Sequence, residues 1–437
     1  MFRDPNTLVG LGVGTTKIAV IVAERDPRMR DAAQVIGIRS APSQGIRKGL
    51  IVNLEQAIRS VRNAVRDTEN MVGFKLNQAM VSFNASDVES VMTGGMVSLG
   101  RNPRPVAVDD VERVIEAAQS ELSIPANKVP LHTIPVRYSI DGNFGIDDPR
   151  GMTGMRLEME LQTVTVPLPC VNNVVNCVER AGIEVEGLVL KPVASALGAL
   201  TEEEMRVGVI SLCIGGGTTG LTFYREGRPI KVGIIPIGGD HITNDLATVL
   251  RLPLNKAEDL KRRLFMPDSP SSPETKDSIE NSVDTEEVVE VISCRLEELF
   301  AEHVQALIPE GDPRLFPGGI VLSGGVAKTA GIDTLLGDIF KMPVRIADPL
   351  DYYQMPPGCN DTSYINATGI IRYILSKERN PYSFIDPPVS QLCSGVHIRR
   401  SIGAREDDYE SPRPKNRGGP NMKNIWETFK ESLKELF

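Results

Sequence analysis

Residues 8–22 read LVGLGVGTTKIAVIV, and this stretch decides the fold. Two apolar runs, residues 8–11 and 18–22, flank a short segment of glycine, threonine and lysine. Branched apolar side chains favour extended backbone, and glycine permits the tight turn that reverses it. The pattern predicts a β-hairpin with its turn at residues 12–17.

The same pattern returns about 200 residues later. Residues 207–224 read VGVISLCIGGGTTGLTFY, and a third run, residues 320–325, reads IVLSGG and ends in another glycine turn. Segments with helical spacing, such as residues 57–72 and 285–308, alternate with these runs, whereas residues 138–154 predict an exposed loop. The sequence therefore predicts a duplicated α/β fold rather than a short-period repeat array.

The glycine turns are candidate phosphate clamps. Glycine lets backbone N–H groups approach phosphate oxygens, and successive N–H groups form an anion-binding nest. Threonine hydroxyls add donors, and Lys17 adds a positive charge. One glycine hairpin is weak evidence, because most such hairpins are only turns. Two matched turns, with a third where a purine or sugar could lie against bare backbone, are much stronger evidence.

Composition limits the function classes. The chain has 437 residues and a formal net charge of −9, which disfavours binding to nucleic acid because that needs local positive potential. No stretch approaches the length of an apolar membrane span, and the first residues lack the pattern of a secretory signal. The six cysteines form no C-x-x-C pair and no zinc spacing, which is typical of a reducing compartment.

Several sequence blocks between the glycine turns resemble one family. They are QGIRKGLI (44–51), DPRGMTG (148–154), RLE (156–158), CVERAG (177–182), PVASAL (192–197) and GGDHITND (238–245). Together with the three turns, and in the same order along residues 8–375, they resemble the bacterial cell-division FtsA family of the actin/Hsp70/sugar-kinase superfold.

The resemblance implies a two-lobed, actin-like fold of α/β class, which is a duplicated ribonuclease-H-like architecture. In this family the second subdomain of actin is missing, and a small α+β domain is inserted in the first half instead. The expected segments are the first lobe core (1–85, 163–204 and 362–392), the inserted small domain (86–162), the second lobe core (205–240 and 315–361), the second lobe outer subdomain (241–314), a flexible linker (393–422) and a terminal amphipathic helix (423–437).

The resemblance also implies an ATP site built from the glycine turns and their neighbours. The candidate nucleotide-binding residues are Gly14, Thr15, Thr16, Lys17, Lys191, Gly215, Gly216, Gly217, Thr218, Thr219, Gly239, Gly324 and Gly325.

Four acids that the family places around the nucleotide are absent. Gly12 and Cys213 stand where aspartates precede the two turns in the family. Lys191 stands where a glutamate precedes the proline of the connecting helix, and Gly220 where an acid often follows the second turn. Mg²⁺ is held through carboxylates and phosphates, and the attacking water needs a positioned polar group. These absences argue against a Mg²⁺ site and for weak or absent ATP hydrolysis, and they leave no catalytic residue or metal ligand to assign.

Three alternatives stay open for this site. Neighbouring residues compensate for the missing acids, or the alignment slips by one position. Otherwise the site binds nucleotide with little turnover, or it is empty and the fold serves only as a scaffold. In the second case the ammonium of Lys191 takes the place of Mg²⁺ in neutralising phosphate charge, which predicts nucleotide binding that survives EDTA.

Two other groups of charged residues have an ordinary interpretation. His241 lies beside Asp240 and close to Asp245, and a helix-cap or loop histidine is favoured there over a metal ligand. Residues 256–263 carry four bases and two acids and predict a solvated helix face.

The C-terminal residues 423–437 read KNIWETFKESLKELF. At 3.6 residues per turn, six apolar side chains fall within an arc of about 120° that lysines flank. This is the pattern of a helix lying in a bilayer interface, where lysine stems can reach lipid phosphates. The alternative, a helix that packs back on its own protein or on a partner, is disfavoured by the polar linker before it. The candidate membrane-binding residues are Ile425, Trp426, Phe429, Lys430, Leu433, Lys434, Leu436 and Phe437.

The charge of this tail differs from that of the whole chain. Residues 413–437 carry six Lys/Arg and three Glu, although the total charge is −9. The acidic total therefore describes the body of the protein, and the membrane signal is local.

The resemblance implies a membrane adaptor of bacterial cell division. Such a protein polymerises, binds the tubulin-like FtsZ through a surface within residues 241–314, and ties FtsZ filaments to the inner face of the cytoplasmic membrane at the division site. The inserted domain is then a site for other divisome membrane proteins, and nucleic acid is not an expected partner. The rival functions are a pilus-assembly actin homologue, which the terminal helix disfavours, and an ATPase or sugar kinase of the same superfold, which the missing acids disfavour.

Overall fold

The computed structural model describes residues 6–25, 32–265, 285–349, 353–356, 359 and 361–394. The strands, in chain order, are β1 (Thr7–Val13), β2 (Lys17–Arg25), β3 (Ala33–Pro42), β4 (Ile46–Arg47), β5 (Leu50–Ile51), β6 (Gln78–Phe83), β7 (Glu89–Ser98), β8 (Arg104–Pro105), β9 (Lys128–Ile140), β10 (Asn143–Ile146), β11 (Thr153–Gly154), β12 (Arg156–Pro167), β13 (Glu184–Leu190), β14 (Val209–Ile214), β15 (Thr219–Arg225), β16 (Arg228–Ile235), β17 (Ile320–Ser323), β18 (Val344–Ile346) and β19 (Tyr353–Gln354). The α-helices are α1 (Leu54–Val72), α2 (Val108–Ser120), α3 (Leu168–Arg180), α4 (Lys191–Ala199), α5 (Glu202–Val207), α6 (Gly239–Val249), α7 (Leu254–Phe265), α8 (Thr285–Glu297), α9 (Gln305–Leu307), α10 (Ile332–Phe340), α11 (Ile365–Arg379) and α12 (Val389–Ser394).

Two sheets repeat one topology. The first has the order β13-β6-β1-β2-β3-β19, and the second has the order β16-β15-β14-β17-β18. In each sheet three consecutive strands pair antiparallel, and two later strands add in parallel beside the first of them. Parallel additions of this kind need crossover connections, which the intervening segments supply. The prediction of a duplicated α/β fold is confirmed.

Both predicted hairpins form. Val13 pairs with Ile18 at the end of the first hairpin, and Ile214 pairs with Thr219 at the end of the second. The apolar residues of these strands are almost all buried, as expected for strands covered on both faces. The two glycine turns therefore lie at equivalent ends of the two repeated sheets.

Helices α4 and α11 cross between the two sheets at two glycines. A β-carbon at Gly369 would overlap the carbonyl oxygen of Ala194, and one at Gly198 would overlap the carbonyl oxygen of Ile365. Any larger side chain at these glycines would push the helices apart. This close crossing fixes Lys191, the first residue of α4, beside both glycine turns.

A third sheet, of order β10-β9-β12-β7, carries helix α2 on one face. Its own small core includes Val114, Tyr138, Leu157 and Leu161. Strands β9 and β12 run on from this core into the first lobe, since Leu131 and Val164 belong to the main core. The predicted limits of this insertion and of the other segments stay predictions.

One prediction of local structure is wrong. Residues 138–154, expected as an exposed loop, include the buried end of β9, edge strand β10 and the short strand β11. The long helix predicted at residues 285–308 forms, with a π-helical stretch at Glu298–Val304 between α8 and α9. A π-helical stretch inserts into an otherwise continuous helix, and the apolar spacing of the sequence does not reveal it.

Among the residues that the structure describes, no helix has both the length and the apolar character needed to cross a membrane. The predicted terminal helix, residues 423–437, and nearly all of the predicted linker lie outside the described residues.

Candidate nucleotide-binding site

The two glycine turns touch each other. A β-carbon at Gly217 would lie 2.6 Å from Oγ1 of Thr15, and one at Gly216 would overlap Cγ2 of Thr16. The threonines of the first turn therefore pack against bare backbone of the second. Glycine is required at both positions because any side chain would force the turns apart.

The turns present unused backbone donors. Within the part of the chain that the structure describes, the N–H groups of Thr15, Thr16, Gly216 and Gly217 donate no hydrogen bond. Gly217 is buried, Thr15 and Gly216 are partly buried and Thr16 is exposed, and N–H groups without a protein partner can donate to water or to a ligand. Two facing sets of free N–H groups form the kind of concavity that binds phosphate oxygens.

Two threonine hydroxyls are held in place as acceptors. Oγ1 of Thr15 accepts a hydrogen bond from the N–H of Gly49 at 2.9 Å, and Oγ1 of Thr218 accepts one from Nδ2 of Asn84 at 2.8 Å. Each hydroxyl keeps its own hydrogen for a ligand oxygen. Thr219 differs, because its hydroxyl donates to the carbonyl oxygen of Ile237 at 2.8 Å and supports the fold beside the site.

The third glycine turn and the start of α6 complete this arrangement. Gly324 has a φ of 93°, and a β-carbon there would overlap the carbonyl oxygen of Ile214. The N–H of Gly239 donates to the carbonyl oxygen of Gly215 at 2.9 Å, which ties the first residue of α6 to the second turn. Gly325 is exposed, with no atom near its β-carbon position. The structure thus brings the predicted residues of both lobes together around one cleft.

Lysines dominate the electrostatics of the cleft. Nζ of Lys191 lies 3.8 Å from the β-carbon position of Gly14 and 3.4 Å from that of Gly215, so its ammonium lies between the two turns. No described residue forms a hydrogen bond or ion pair with this ammonium. Burial and the charge of Lys191 lower the pKa of Lys17 to about 8. Two close ammonium groups with too little counter-charge favour an anion between them.

The surroundings of Lys17 include two groups that the sequence did not suggest. Nζ of Lys17 lies 4.5 Å from the ring centroid of Tyr364, a favourable cation–π distance. Lys328 lies close enough to lower the pKa of Lys17 further, and its own ammonium forms an ion pair with Asp361. These residues follow the third turn or precede α11, far along the chain from Lys17.

The space of two missing acids is occupied by other side chains. A β-carbon at Gly12 would lie 2.9 Å from Oδ1 of Asn366, which also accepts a hydrogen bond from Oγ of Ser82 at 2.7 Å. A β-carbon at Gly220 would lie 2.6 Å from Cγ of Pro192. An aspartate at either position would need its neighbours to move.

One carboxylate does face the cleft. Oδ1 of Asp240 lies 2.9 Å from the β-carbon position of Gly216, and burial raises the pKa of Asp240 above its usual range. Asp240 is not among the nucleotide-binding residues predicted from the sequence, although it lies in the GGDHITND block. The sequence could have indicated Asp240, because it directly follows Gly238 and Gly239 in the first turn of a helix. A residue in that position lies close to the groups that the two glycines contact.

A buried ion pair lies behind the start of α6. Nζ of Lys261 donates to Glu258 Oε2 at 2.6 Å and to the carbonyl oxygen of Gly239 at 3.0 Å. Burial works to raise the pKa of Glu258, but Lys261 and hydrogen bonds to Thr243 and Arg262 outweigh it and lower the pKa to about 2. The prediction of a solvated face for residues 256–263 is wrong for Lys261, which is only 5% exposed.

His241 caps helix α6. Its Nδ1 accepts a hydrogen bond from the N–H of Gly238 at 3.1 Å. Burial, with help from the charges of Lys48 and Arg295, lowers the pKa of His241 and favours the neutral ring that this bond needs. The favoured helix-cap interpretation is confirmed.

The cleft fits an anionic nucleotide better than it fits a divalent cation. Free N–H groups, threonine hydroxyls and two ammonium groups match phosphate oxygens. Over the described ranges, no group of three or more His, Cys, Asp or Glu side chains is arranged to hold a metal ion. A Mg²⁺ ion would meet Lys191 where a carboxylate is needed.

Comparisons with known proteins give the same fold and a specific family. A family model described as "Cell division protein FtsA" matches residues 212–369, and one described as "SHS2 domain inserted in FTSA" matches residues 85–165. The cell division protein FtsA of Pseudomonas aeruginosa is 34% identical over 386 residues, which are 86% of this chain and 91% of the relative. FtsA of Bacillus subtilis is 34% identical over 379 residues, covering 85% of this chain and 84% of the relative.

Another relative extends the match toward both ends. FtsA of Enterococcus hirae is 33% identical over 442 aligned positions, covering 98% of this chain and 97% of the relative. Among solved structures, a type IV pilus biogenesis complex of PilM and PilN matches with a TM-score of 0.60 at 17% identity, covering 84% of this chain and 98% of that chain. A likeness at that identity supports the fold alone.

Proposed function

This chain belongs to the FtsA family of cell division proteins, and from that premise we propose that it is an actin-like adaptor that polymerises and tethers FtsZ filaments to the cytoplasmic membrane. The observation that carries the tethering role is the terminal sequence, in which six apolar side chains share one helical face with lysines beside them. The proposed FtsZ surface lies within residues 241–314, and the inserted domain is the proposed contact for other divisome membrane proteins. The place of action is the inner face of the membrane at the division site.

The test of tethering is co-sedimentation with FtsZ filaments and anionic vesicles. The wild-type chain is expected to bring FtsZ down with the vesicles. Trp426→Glu together with Phe429→Glu places two charges on the apolar face, so this variant should leave the vesicles while still sedimenting with FtsZ filaments.

A matched control separates helix orientation from charge. Asn424→Glu together with Thr428→Glu adds the same two charges on the polar face of the same helix. This control is expected to keep most vesicle binding. Equal release by both variants would show that only net charge matters, and undiminished binding of the apolar-face variant would refute the membrane role.

We further propose that the cleft binds ATP without needing Mg²⁺ and hydrolyses it slowly or not at all. Support comes from the ammonium of Lys191 between the two turns and from the occupied space at Gly12 and Gly220. The chain's part in this function is to bind and orient phosphate oxygens through the free N–H groups of the turns. No described residue is assigned to activate a water molecule.

Calorimetric titration with ATP, in EDTA and in excess Mg²⁺, tests the proposal. Similar affinities are expected in both, and Lys191→Glu should abolish binding in EDTA. The alternative in which a neighbour compensates points to Asp240. If it is right, binding requires Mg²⁺, and Asp240→Asn weakens the binding measured in Mg²⁺. The absence of ATP binding under every condition would leave the scaffold role.

The rival functions can be weighed on these findings. The likeness to the PilM chain is one of fold at 17% identity, whereas the FtsA relatives reach 34% over most of the chain. A sugar kinase or chaperone-type ATPase would show steady nucleotide turnover. A coupled ATPase and sugar-phosphorylation assay therefore separates that class from the adaptor.

A further inference from the structure

A second cavity, remote from the nucleotide cleft, opens where the inserted sheet meets both lobes. It has a volume of about 830 Å³ and is bounded by strands β9 and β10, helix α5, the turn between β15 and β16, and helix α11. This volume lies in the range of small-molecule sites. The proposed function uses none of the residues that line it.

The lining of this cavity is cationic although the chain is acidic. Five arginines and three carboxylates line it, in a protein whose formal net charge is −9. Arg379 and Glu202 form an ion pair at 3.3 Å, and Arg137 pairs at 2.9 Å with Glu160. Arg372 donates to the carbonyl oxygen of Leu197 at 2.7 Å.

Two guanidinium groups in the lining remain uncommitted. The side chains of Arg206, which is exposed, and Arg228, which is half-buried, form no hydrogen bond or ion pair with any residue that the structure describes. Arg228 begins β16, and Arg206 lies in α5, so they reach the cavity from different elements. A guanidinium presents paired donors that match the geometry of a carboxylate or a phosphate.

Part of the remaining wall is apolar. Leu197, Met205, Pro229, Leu375 and Phe384 line the cavity beside the arginines, together with the polar Ser376, Asn380 and Ser383. A bare inorganic anion would leave the apolar part without a partner. From these features we propose that the cavity binds a small organic oxyanion, in which a phosphate or carboxylate group meets Arg206 and Arg228 and an apolar body covers the apolar part of the wall.

The test is calorimetry of the full-length protein with phenyl phosphate, with benzoate and with inorganic phosphate at constant ionic strength. Phenyl phosphate and benzoate separate phosphate from carboxylate recognition on the same apolar body. At least one of them is expected to bind at least tenfold more tightly than inorganic phosphate. Arg228→Gln should raise its dissociation constant at least tenfold.

Two control variants locate the binding. Arg225→Gln removes a guanidinium from the same strand pair but outside the cavity lining, and Lys191→Met disables the nucleotide cleft. Both are expected to keep the aryl anion. Loss in Lys191→Met with retention in Arg228→Gln would overturn the proposal by placing the anion in the cleft. No binding by either aryl anion would also overturn it. Tetraglutamate is added as a peptide probe, and if it binds more tightly than both aryl anions, the cavity is a peptide-docking site and the small-ligand proposal is wrong.

Discussion

At the scale of single residues, the nucleotide cleft has an excess of positive charge and few carboxylates to balance it. Lys17 and Lys191 approach each other around two sets of free N–H groups, and Asn366 and Pro192 occupy the space beside Gly12 and Gly220. A cleft of this kind gains most from a ligand that brings negative charge of its own. The charge of Lys17 and the space at Gly12 should therefore both affect the protein measurably.

Nucleotide affinity should depend on pH through Lys17. Burial and Lys191 lower its pKa to about 8 in the free protein, and a bound phosphate would raise it again. Affinity should therefore fall by about tenfold between pH 7.5 and pH 9.5, as Lys17 of the free protein loses its proton. Calorimetry across this range measures the fall, and Lys17→Met should lose this part of the pH dependence. An unchanged pH profile in that variant would contradict the assignment.

The same shift has a consequence for stability with a definite sign. The folded pKa of Lys17 is lower than its value of 10.5 in the unfolded chain, so the unfolded chain binds more protons between about pH 8 and 10.5. The contribution of Lys17 to stability therefore rises with pH across that window. Below pH 8 its buried charge is a cost, which Lys17→Met should relieve in urea unfolding at pH 7.

Restoring an aspartate at Gly12 should destabilise the protein. Its β-carbon would meet Asn366 at 2.9 Å and lie 3.6 Å from Oγ of Ser82, in a site with no spare room. We expect Gly12→Asp to lower the free energy of unfolding by about 1–3 kcal/mol, which urea unfolding measures. Adding Asn366→Ser should recover part of the loss. A fully stable single variant would show that the site relaxes freely.

The residues of the site differ in how far the sequence reveals them. The glycine turns follow from local pattern, because strand and turn preferences act within about fifteen residues. The contact between Ser82 and Asn366 joins positions 284 residues apart, and only the folded chain brings them to Gly12. Asp240 is an intermediate case, because its backbone N–H donates to the carbonyl oxygen of Gly216 and this bond turns the side chain toward the cleft.

At the scale of elements, the local sequence pattern predicts the central strands better than it predicts short edge strands. Strands β1, β2, β14 and β15 lie where the apolar runs predict them. The sequence does not reveal the edge strand at residues 143–146, because the glycines and aspartates of residues 138–154 are typical of a loop. Pairing with β9 stabilises extended backbone there despite this weak strand preference. Tertiary pairing thus decides the short edge elements that the sequence leaves ambiguous.

Helix α11 is fixed to the segment after it by one buried carboxylate. Asp386 lies 2.9 Å from Nδ1 of His132 and 2.8 Å from Nζ of Lys377, and it accepts a hydrogen bond from the hydroxyl of Tyr373. His132 belongs to β9, so this cluster joins three parts of the chain. It holds in place the last described segment before the predicted linker.

Breaking this cluster should be costly. Asp386→Asn removes the charge that Lys377 and Tyr373 share, and we expect the free energy of unfolding at pH 7 to fall by about 3–5 kcal/mol. The matched control is Glu378→Gln, which breaks the more exposed pair with Arg25 and should cost less than about 1 kcal/mol. Urea unfolding compares the two variants, and equal costs would contradict a special role for Asp386.

The pH dependence of this cluster has a definite direction. Burial works to raise the pKa of Asp386, but its interactions with His132 and Lys377 outweigh it and hold the pKa below its usual range. The stability that Asp386 contributes is therefore present above pH 3.8 and lost as pH falls through the folded value. Acid unfolding of Asp386→Asn should lack this component.

At the scale of the whole molecule, the proposed terminal helix should bind a membrane weakly as a single copy and firmly when many copies act together. If the six apolar side chains of residues 423–437 become half-buried in the membrane, their transfer contributes about 5–9 kcal/mol to binding. Ordering the helix and losing free motion removes several kcal/mol of that gain. One copy should therefore bind a membrane reversibly, and many tails on one polymer should bind together through their high local concentration.

Mixing wild-type and tail-defective copies tests this collective binding. Labelled wild-type protein is kept at constant concentration with vesicles, and unlabelled Trp426→Glu/Phe429→Glu protein is added in increasing amounts. Because mixed polymers carry fewer working tails, the bound fraction of the label should fall steeply, well below half at a threefold excess. Unlabelled Asn424→Glu/Thr428→Glu protein, whose apolar face is intact, should displace far less. A bound fraction that ignores the defective copies would mean that each tail binds alone, and the link between polymerisation and anchoring would then be lost.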